Sequence, residues 1–299
     1  MANPPALTHA RPVALADVVA LTKPRITRMV VFTAAAGMWL APAGTVHAAT
    51  LIAALIGTVM VVSSANALNM YLERDIDAQM VRTANRPLPS GRMHPSVALG
   101  VGMGLALFAV PLLSMLVNPI TSLLGTLALV IYVWGYTPLK QRSWFAVVVG
   151  AVPGALPPLM GWTAATGKIG APGVALFAIM FFWQIPHTLA ITIFRDAEYR
   201  KAGFQTLPVQ RSIEAARWQT LVWTVPLVAS SVAPFFLGFA GWPYLAVAIV
   251  LGAGFLVQAV RVVREAKRFR QARTLFFYSI AYATVLFATL LVVAGHVKG

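Results

Sequence analysis

A series of long apolar segments most strongly limits what this chain can fold into. Each segment is about 18–23 residues long, which lets a helix cross a hydrocarbon core of about 30 Å. The sequence of 299 residues is 59% hydrophobic and only 10% charged, whereas a soluble domain carries about 25% charged residues. We therefore predict an all-α fold, a polytopic transmembrane helical bundle with about nine spans. The predicted spans are 26–46, 50–72, 96–117, 119–136, 144–164, 172–194, 216–238, 243–261 and 275–296.

The basic residues are unevenly distributed among the predicted loops. Of the 23 Lys and Arg residues, only Lys168 and Lys298 fall on one side of the predicted bundle. Because Lys and Arg collect in cytoplasmic loops, this pattern predicts a cytoplasmic N-terminus, an external C-terminus and an odd number of spans. The same rule accounts for the net charge of +15 without a nucleic-acid partner. We predict one domain over residues 1–299, in which 1–20 form a cytoplasmic N-terminal segment.

The most polar stretch near a span, residues 66–92, contains a regular acidic pattern. Asn69, Glu73 and Asp77 recur every fourth residue, so they share one face of a helix, whereas Asp75 lies on the opposite face. Carboxylate and amide oxygens suit Mg²⁺, which takes its remaining ligands from water and from substrate phosphates. Ionisable groups at membrane depth indicate a functional site. The absence of cysteine excludes thiolate metal sites and disulfides.

Arginines follow this acidic pattern closely. Arg82 and Arg86 could hold the oxygens of a diphosphate, bidentately where the geometry allows. The competing interpretation is a juxtamembrane helix with solvated salt bridges such as Glu73–Arg74. Asn66 and Asn69 weigh against it, because amides at the end of an apolar span need buried partners. The stretch therefore predicts a site for Mg²⁺ and a diphosphate.

A second polar region follows span six. On a continuous helix, Glu198 and Arg195 share the face of His187, while Asp196 points away. A lone histidine on an apolar helix is more often a packing residue than a ligand, and both interpretations stay open. We expect the polar loops after spans two and six to cap a central apolar chamber at the cytoplasmic side.

Two further segments have less distinctive chemistry. In LTKPRIT, residues 21–27, Pro24 fits a helix start and Lys23 is expected to meet anionic headgroups. In GAVPGALPPLMGW, residues 150–162, the small residues favour close helix packing. The alternative is that its prolines break the helix beside a cavity.

Together, these motifs resemble those of a known enzyme family. The spacing N-x₃-E-x₃-D, followed by RTANRPLPSG, is similar to the first acidic motif of the intramembrane prenyltransferases. LTKPRIT, YTPLK (136–140), GALPPLMGW (154–162) and WQIPH (183–187) resemble the branch of that family that farnesylates protoheme. This chain has Glu73 and Glu198 where that branch usually has Asp, and Thr188 where it has Phe.

The resemblance implies transfer of a farnesyl group from farnesyl diphosphate to the vinyl group of protoheme (heme B), giving heme O, in a bacterial inner membrane. It implies a Mg²⁺ cofactor, an active site at the cytoplasmic side and a downstream heme-modifying membrane enzyme as a partner. The implied metal ligands are Asn69, Glu73 and Asp77, which are also catalytic together with Glu198. The implied diphosphate-binding residues are Arg82, Arg86, Lys140, Arg195 and Tyr199, and the candidates for the heme acceptor are His187 first and His94 second.

Two alternatives remain at this point. The first is a prenyltransferase that acts on another aromatic or tetrapyrrole acceptor. The second is a transporter, a different class of protein, with a polar site near the midplane of the membrane. The clustering of the acidic residues at one predicted face disfavours the transporter.

Overall fold

The structure, a computed structural model, describes residues 14–42, 47–265 and 269–293, and all regular elements in these ranges are helical. A π-helical segment spans Ile131–Tyr136. The helices are α1 (Leu15–Leu21), α2 (Pro24–Trp39), α3 (Ala48–Leu72), α4 (Arg74–Asp77), α5 (Pro95–Leu116), α6 (Pro119–Val130), α7 (Thr137–Leu139), α8 (Ala146–Thr166), α9 (Ala171–Phe194), α10 (Asp196–Lys201), α11 (Leu207–Gln210), α12 (Ile213–Phe236), α13 (Trp242–Arg264) and α14 (Arg270–Val293).

The predicted transmembrane bundle is confirmed. Within the described ranges, eight helical stretches are long and apolar enough to cross a membrane. One of them, Pro119–Leu139, runs continuously through α6, the π-helical segment and α7. The predicted first span, 26–46, corresponds to α2, which has 16 residues and is therefore about 24 Å long. This helix is shorter than the usual spanning length but still packs inside the bundle.

The centre of the bundle is formed by α8 and α9. α8 packs on α2, α6 and α9, and α9 also packs on α12 and α14. Glycines permit the α2–α8 contact, since a Cβ at Gly37 would lie 2.0 Å from the carbonyl oxygen of Pro158. A Cβ at Gly161 would likewise lie 1.9 Å from the carbonyl oxygen of Ala34. Small residues therefore allow close helix approach here, as the sequence predicted.

The prolines of α8 do not interrupt it, because the helix continues over 21 residues. Pro153 and Pro157 are buried and also line an apolar cavity. Both interpretations of this segment thus hold in part: it packs closely, and it borders a cavity without a break.

The predicted N-terminal segment, 1–20, is only partly described. Residues from Leu15 onward form α1, and Leu21 at its end is fully buried against Ala67 and Met70 of α3. Four basic residues that entered the charge pattern lie outside the described residues: Arg11, Lys267, Arg268 and Lys298.

Candidate active site

The acidic pattern of residues 66–92 forms at the end of α3. Asn69 lies in the last turn of α3, the helix ends at Leu72, and Glu73 links it to the short helix α4 that ends at Asp77. Backbone hydrogen bonds from Glu73 N to Asn69 O (2.9 Å) and from Asp77 N to Glu73 O (2.8 Å) preserve the helical phase. The three side chains are buried, whereas the side chain of Asp75 is 84% exposed. The structure therefore gathers the predicted trio and leaves Asp75 at the surface.

Each member of the trio contacts one basic side chain. The pairs are Asn69 Oδ1 with Lys23 Nζ at 2.9 Å, Glu73 Oε1 with Lys140 Nζ at 2.5 Å, and Asp77 Oδ2 with Arg86 Nη1 at 2.6 Å. The amide of Asn69 also donates from Nδ2 to Thr137 Oγ1 at 3.2 Å, which orients its oxygen toward Lys23. Acidic and basic groups thus alternate within one buried cluster.

Lys23 is a site residue that the sequence interpretation placed elsewhere. It was expected to meet lipid headgroups, but its ammonium group points to Asn69 instead. Lys23 precedes Pro24 with a left-handed backbone (φ 46°, ψ 67°), the only non-glycine residue with positive φ in the described ranges. Such backbone strain is concentrated at functional sites. Burial, then the charges of Arg86 and Lys140, lower the pKa of Lys23 to about 7.

Lys140, the last residue of the YTPLK motif, lies beside Glu73. Burial disfavours its charged form, but the neighbouring Tyr136 and Glu73 outweigh that effect and raise its pKa. Its ammonium group also lies 4.6 Å from the centre of the Tyr136 ring, within the range of a cation–π interaction. This lysine is therefore held as a cation beside Glu73.

These pairs border a polar cavity of about 340 Å³. Besides the paired residues, its walls include Arg82 and Tyr199, two of the predicted diphosphate-binding residues. Burial raises the pKa of Tyr199, so its hydroxyl is protonated and able to donate a hydrogen bond. The hydroxyl of Thr206, on the same cavity wall, is buried and has no hydrogen-bond partner among the described residues. The cavity therefore presents charged and neutral donors to an anion.

An apolar cavity of about 200 Å³ adjoins the polar one. Its walls come mainly from valine, alanine, leucine, glycine and proline residues of α3, α6 and α8. The two cavities share five wall residues: Ile26, Tyr132, Tyr136, Val147 and Thr188. An amphiphilic ligand can thus place a charged end in the polar cavity and an apolar chain in its neighbour.

The π-helical segment positions the two tyrosines between the cavities. Tyr132 and Tyr136 stand with ring centroids 5.3 Å apart. Gly150 of α8 makes room for Tyr136, since a Cβ there would lie 2.5 Å from its ring. Single π-helical turns are often found at functional sites. The apolar sequence of this span carries no signal that distinguishes a π-helix from an α-helix, so neither tyrosine was predicted as a site residue.

Two predicted site residues lie on a different cavity. Arg195 Nη1 donates to Glu198 Oε2 at 2.8 Å, and both side chains line a surface cavity bordered by α14. They are absent from the described walls of the polar cavity. The prediction placed both residues on the face of His187, but their side chains pair with each other and border a cavity beside α14. The structure therefore does not bring these two residues to the acidic trio.

The two predicted acceptor histidines differ in their surroundings. His187 lies on α9 and lines the polar cavity. His94 is exposed at the start of α5, where its Nδ1 accepts the backbone N–H of Ser96 at 3.3 Å. His94 therefore caps a helix and is not among the described wall residues of the polar cavity, and its role as the second acceptor candidate stays a prediction.

The oxygen ligands at the site suit a metal ion that binds together with a phosphate group. In the part of the chain that the structure describes, no three His, Asp or Glu side chains form a cluster able to hold a metal alone. Glu73 and Asp77, with the amide oxygen of Asn69, provide two carboxylates and one neutral oxygen on one wall. Mg²⁺ is commonly bound by one or two carboxylates together with substrate phosphates. The residues present therefore fit a Mg²⁺–diphosphate complex.

The fold and the site together define a class of intramembrane enzyme. The model of the UbiA prenyltransferase family matches residues 30–281. The chain belongs to the UbiA prenyltransferase family. This membership confirms the predicted enzyme class and favours it over the transporter alternative.

Relatives with curated names narrow the comparison within that family. The chain is 48% identical over 279 residues to the protoheme IX farnesyltransferase of Myxococcus xanthus, covering 93% of this chain and 95% of that protein. It is 46% identical to the protoheme IX farnesyltransferase of Anaeromyxobacter dehalogenans, covering 97% of this chain and 98% of that protein. The resemblance found in the motifs is thus confirmed by relatives over most of the chain.

Solved structures share the fold at low sequence identity. A digeranylgeranylglyceryl phosphate synthase superposes with a TM-score of 0.80 at 16% identity, covering 93% of this chain and 97% of the other. A UbiA homolog from Archaeoglobus fulgidus bound to DMAPP and Mg²⁺ superposes with a TM-score of 0.70 at 14% identity, covering 93% and 100%. These likenesses confirm the all-α transmembrane fold.

Proposed function

We propose that the chain transfers a farnesyl group from farnesyl diphosphate to a vinyl group of protoheme, giving heme O. The observation that carries this proposal is the junction of a polar, cation-rich cavity with an apolar cavity. That junction suits an allylic diphosphate, which has one charged end and one apolar chain. The names of the relatives support farnesyl as the donor group and protoheme as the acceptor.

In the proposed mechanism, the polar cavity promotes departure of diphosphate. Asn69, Glu73 and Asp77 would hold Mg²⁺, which, when bound, supplies charge stabilisation to the leaving group. The C1–O bond breaks and its electron pair leaves with the diphosphate. Basic groups that line the cavity offset the remaining negative charge, and preorganised cations of this kind lower the barrier in a water-poor site. These groups are Lys23, Arg82, Arg86 and Lys140.

The apolar cavity would hold the farnesyl chain and protect the allylic cation from water. The terminal vinyl carbon of protoheme then attacks C1 and forms the new carbon–carbon bond. The positive charge moves to the inner vinyl carbon, water adds there, and a proton is released. His187 borders the polar cavity on α9 and is our candidate for contact with the acceptor.

The proposal includes a location. We infer that the protein resides in the bacterial inner membrane with its active site at the cytoplasmic side. The basic residues of the loops around the site support this orientation. The product would leave toward a heme-modifying membrane enzyme downstream.

Product mass tests the proposal. The purified protein is incubated with Mg²⁺, farnesyl diphosphate and protoheme. The molecular mass of the extracted heme is then measured by mass spectrometry. We expect a gain equal to farnesol, because a farnesyl group and a hydroxyl are added across the vinyl group. Unchanged heme together with released diphosphate would favour the alternative of another aromatic or tetrapyrrole acceptor. Replacing farnesyl diphosphate with geranylgeranyl diphosphate tests the choice of donor.

A further inference from the structure

The surroundings of His187 fix which of its ring nitrogens carries the proton. The hydroxyl of Ser279 on α14 donates to the carbonyl oxygen of Phe276 at 2.7 Å, and that carbonyl can only accept. Because its single hydrogen is used there, Ser279 Oγ acts as the acceptor in its 2.6 Å contact with His187 Nδ1. In a neutral imidazole, a protonated Nδ1 leaves Nε2 with a free lone pair.

The ring of His187 also packs against two aromatic side chains. Trp183 stacks on it with a centroid distance of 4.7 Å, and Phe276 lies 4.9 Å away. The indole N–H of Trp183 donates to the backbone carbonyl of Ser279 at 2.7 Å, so the stacking residue is itself anchored to α14. Two aromatic contacts and the hydrogen bond at Nδ1 therefore hold the imidazole in place.

The remaining edge of the ring carries Nε2. The contact between Nδ1 and Ser279 Oγ is the one hydrogen bond that the described residues make with this ring. His187 nevertheless lines the polar cavity. Because Nδ1 is engaged by Ser279, Nε2 is the ring nitrogen available to a ligand in that cavity.

We infer that His187 Nε2 is the axial ligand of the acceptor's iron, and that Ser279 and Trp183 are positioning residues that hold it in that role. This inference rests on the proposed function, in which the acceptor is an iron tetrapyrrole. A histidine that binds a metal commonly donates its other ring N–H to an oxygen, which fixes the tautomer and strengthens the ligand. Here Ser279 Oγ is that oxygen. The iron–nitrogen bond would anchor the porphyrin in the cavity that contains the diphosphate-binding groups.

Spectroscopy of bound heme tests this assignment without catalysis. Ferrous protoheme is added to the purified protein in lipid nanodiscs, and resonance Raman spectra are recorded in the region of the iron–histidine stretch. We expect this band in the wild-type protein and its loss in His187→Ala. Imidazole added to His187→Ala should restore a heme–imidazole spectrum, because the removed ring leaves a matching space. An iron–histidine band that persists in His187→Ala would overturn the assignment.

The positioning role has its own variants. Ser279→Ala keeps His187 but removes the acceptor for Nδ1–H, so the iron–histidine band should shift to lower frequency as the imidazole loses ligand strength. Ser279→Thr retains a hydroxyl and should restore the wild-type frequency. Thr284→Ala is the matched control, because Thr284 also donates to a carbonyl on α14, that of Ile280 at 2.9 Å, but is exposed. An unshifted band in Ser279→Ala would overturn the positioning role, even if His187→Ala failed to fold.

The outcomes for the ligand and for the proposed function are separable. If wild-type protein converts protoheme to a product with the mass of heme O but shows no iron–histidine band, the function stands and the ligand assignment falls. If wild-type protein shows the band but yields no farnesylated product, the ligand assignment stands and the proposed function falls. Diphosphate binding in His187→Ala, measured by calorimetry with farnesyl diphosphate and Mg²⁺, should match that of the wild type.

Discussion

At the residue scale, both carboxylates of the site are already paired with basic side chains before any ligand arrives. Glu73 is paired with Lys140, and Asp77 with Arg86. Removing one partner of a buried ion pair leaves an uncompensated charge, which is strongly unfavourable. A cation bound to the carboxylates alone would leave Lys140 and Arg86 without their ion-pair partners. An anion bound to these two bases alone would leave the carboxylates without theirs. Metal and diphosphate together satisfy both sets.

This charge balance predicts coupled binding of metal and diphosphate. We expect Mg²⁺ alone to bind weakly and to bind more tightly by about 5–150-fold when farnesyl diphosphate is present, a common range for coupled ligands. Titration calorimetry with each ligand alone and in the presence of the other measures the factor. Equal Mg²⁺ affinity with and without farnesyl diphosphate would contradict the balance described here.

The exposure of the two neighbouring aspartates predicts opposite mutational effects. Asp77→Asn removes a buried carboxylate from the cavity wall, and we expect turnover to fall by about 10²–10³-fold, as when one charge-stabilising group is lost. Asp75→Asn changes an 84% exposed side chain and should leave turnover nearly unchanged. Initial rates of heme O formation measure both variants, with thermal unfolding in detergent as the control for folding. A severe loss in Asp75→Asn would show that the acidic face is misassigned.

Lys23 offers a second test at this scale. Lys23→Met removes a donor to Asn69 and a positive charge from the cavity. We expect the KM for farnesyl diphosphate to rise at least tenfold, since hydrogen bonds to charged groups contribute about 1.5–3 kcal/mol. Arg25→Met is the matched control, because Arg25 lies two residues away but is exposed. Equal KM values for the two variants would show that Lys23 does not contribute to diphosphate binding.

At the element scale, the spans were predictable and their interruptions were not. Apolar runs of spanning length dictate helices, so the limits of α3, α8 and α9 follow from hydropathy. Helical phase located Asn69 and Asp77 because each lies only four residues from the turn at Glu73. The same reasoning extrapolated over eleven residues from His187 to Glu198, and the structure places Glu198 on a different cavity.

The route of the chain between elements explains the remaining misses. Lys23 itself adopts a left-handed backbone conformation just before α2. A lysine residue does not suggest that conformation. Tyr132 and Tyr136 share a cavity wall through a π-helical turn, which hydropathy does not reveal. Such local backbone features depend on tertiary contacts. One example is the space that Gly150, which has no side chain, leaves for the ring of Tyr136.

The α2–α8 contact gives an element-scale prediction. Gly161→Ala would place a Cβ 1.9 Å from the carbonyl oxygen of Ala34, so the helices must separate. We expect destabilisation by about 1–3 kcal/mol, the usual cost of overpacking. Gly104→Ala on α5 is the matched control, because a Cβ there meets no atom of the described residues within 4 Å and removing a helical glycine stabilises by about 0.5–1 kcal/mol. Unfolding in detergent micelles measures both changes, and equal stability of the two variants would contradict the close approach.

At the scale of the whole molecule, the two cavities lie where several helices converge. α3, α8 and α9 each contribute walls to the apolar cavity, and α9 also borders the polar one. The polar cavity collects residues from segments far apart in the chain, from Lys23 to Thr206. The single domain predicted for residues 1–299 stays a prediction, but a site assembled from such distant segments requires that they fold together.

The orientation of the molecule is the last prediction, and the composition of the chain makes it easy to test. The sequence has no cysteine, so a single introduced cysteine is the only thiol. Lys168 and Arg211 are exposed and lie at opposite ends of spanning helices. Because basic residues collect in cytoplasmic loops, we expect a membrane-impermeant maleimide to label Lys168→Cys in intact spheroplasts. Arg211→Cys should be labelled only after the membrane is permeabilised. The reverse pattern would place the active site on the outer face and would require farnesyl diphosphate from outside the cytoplasm.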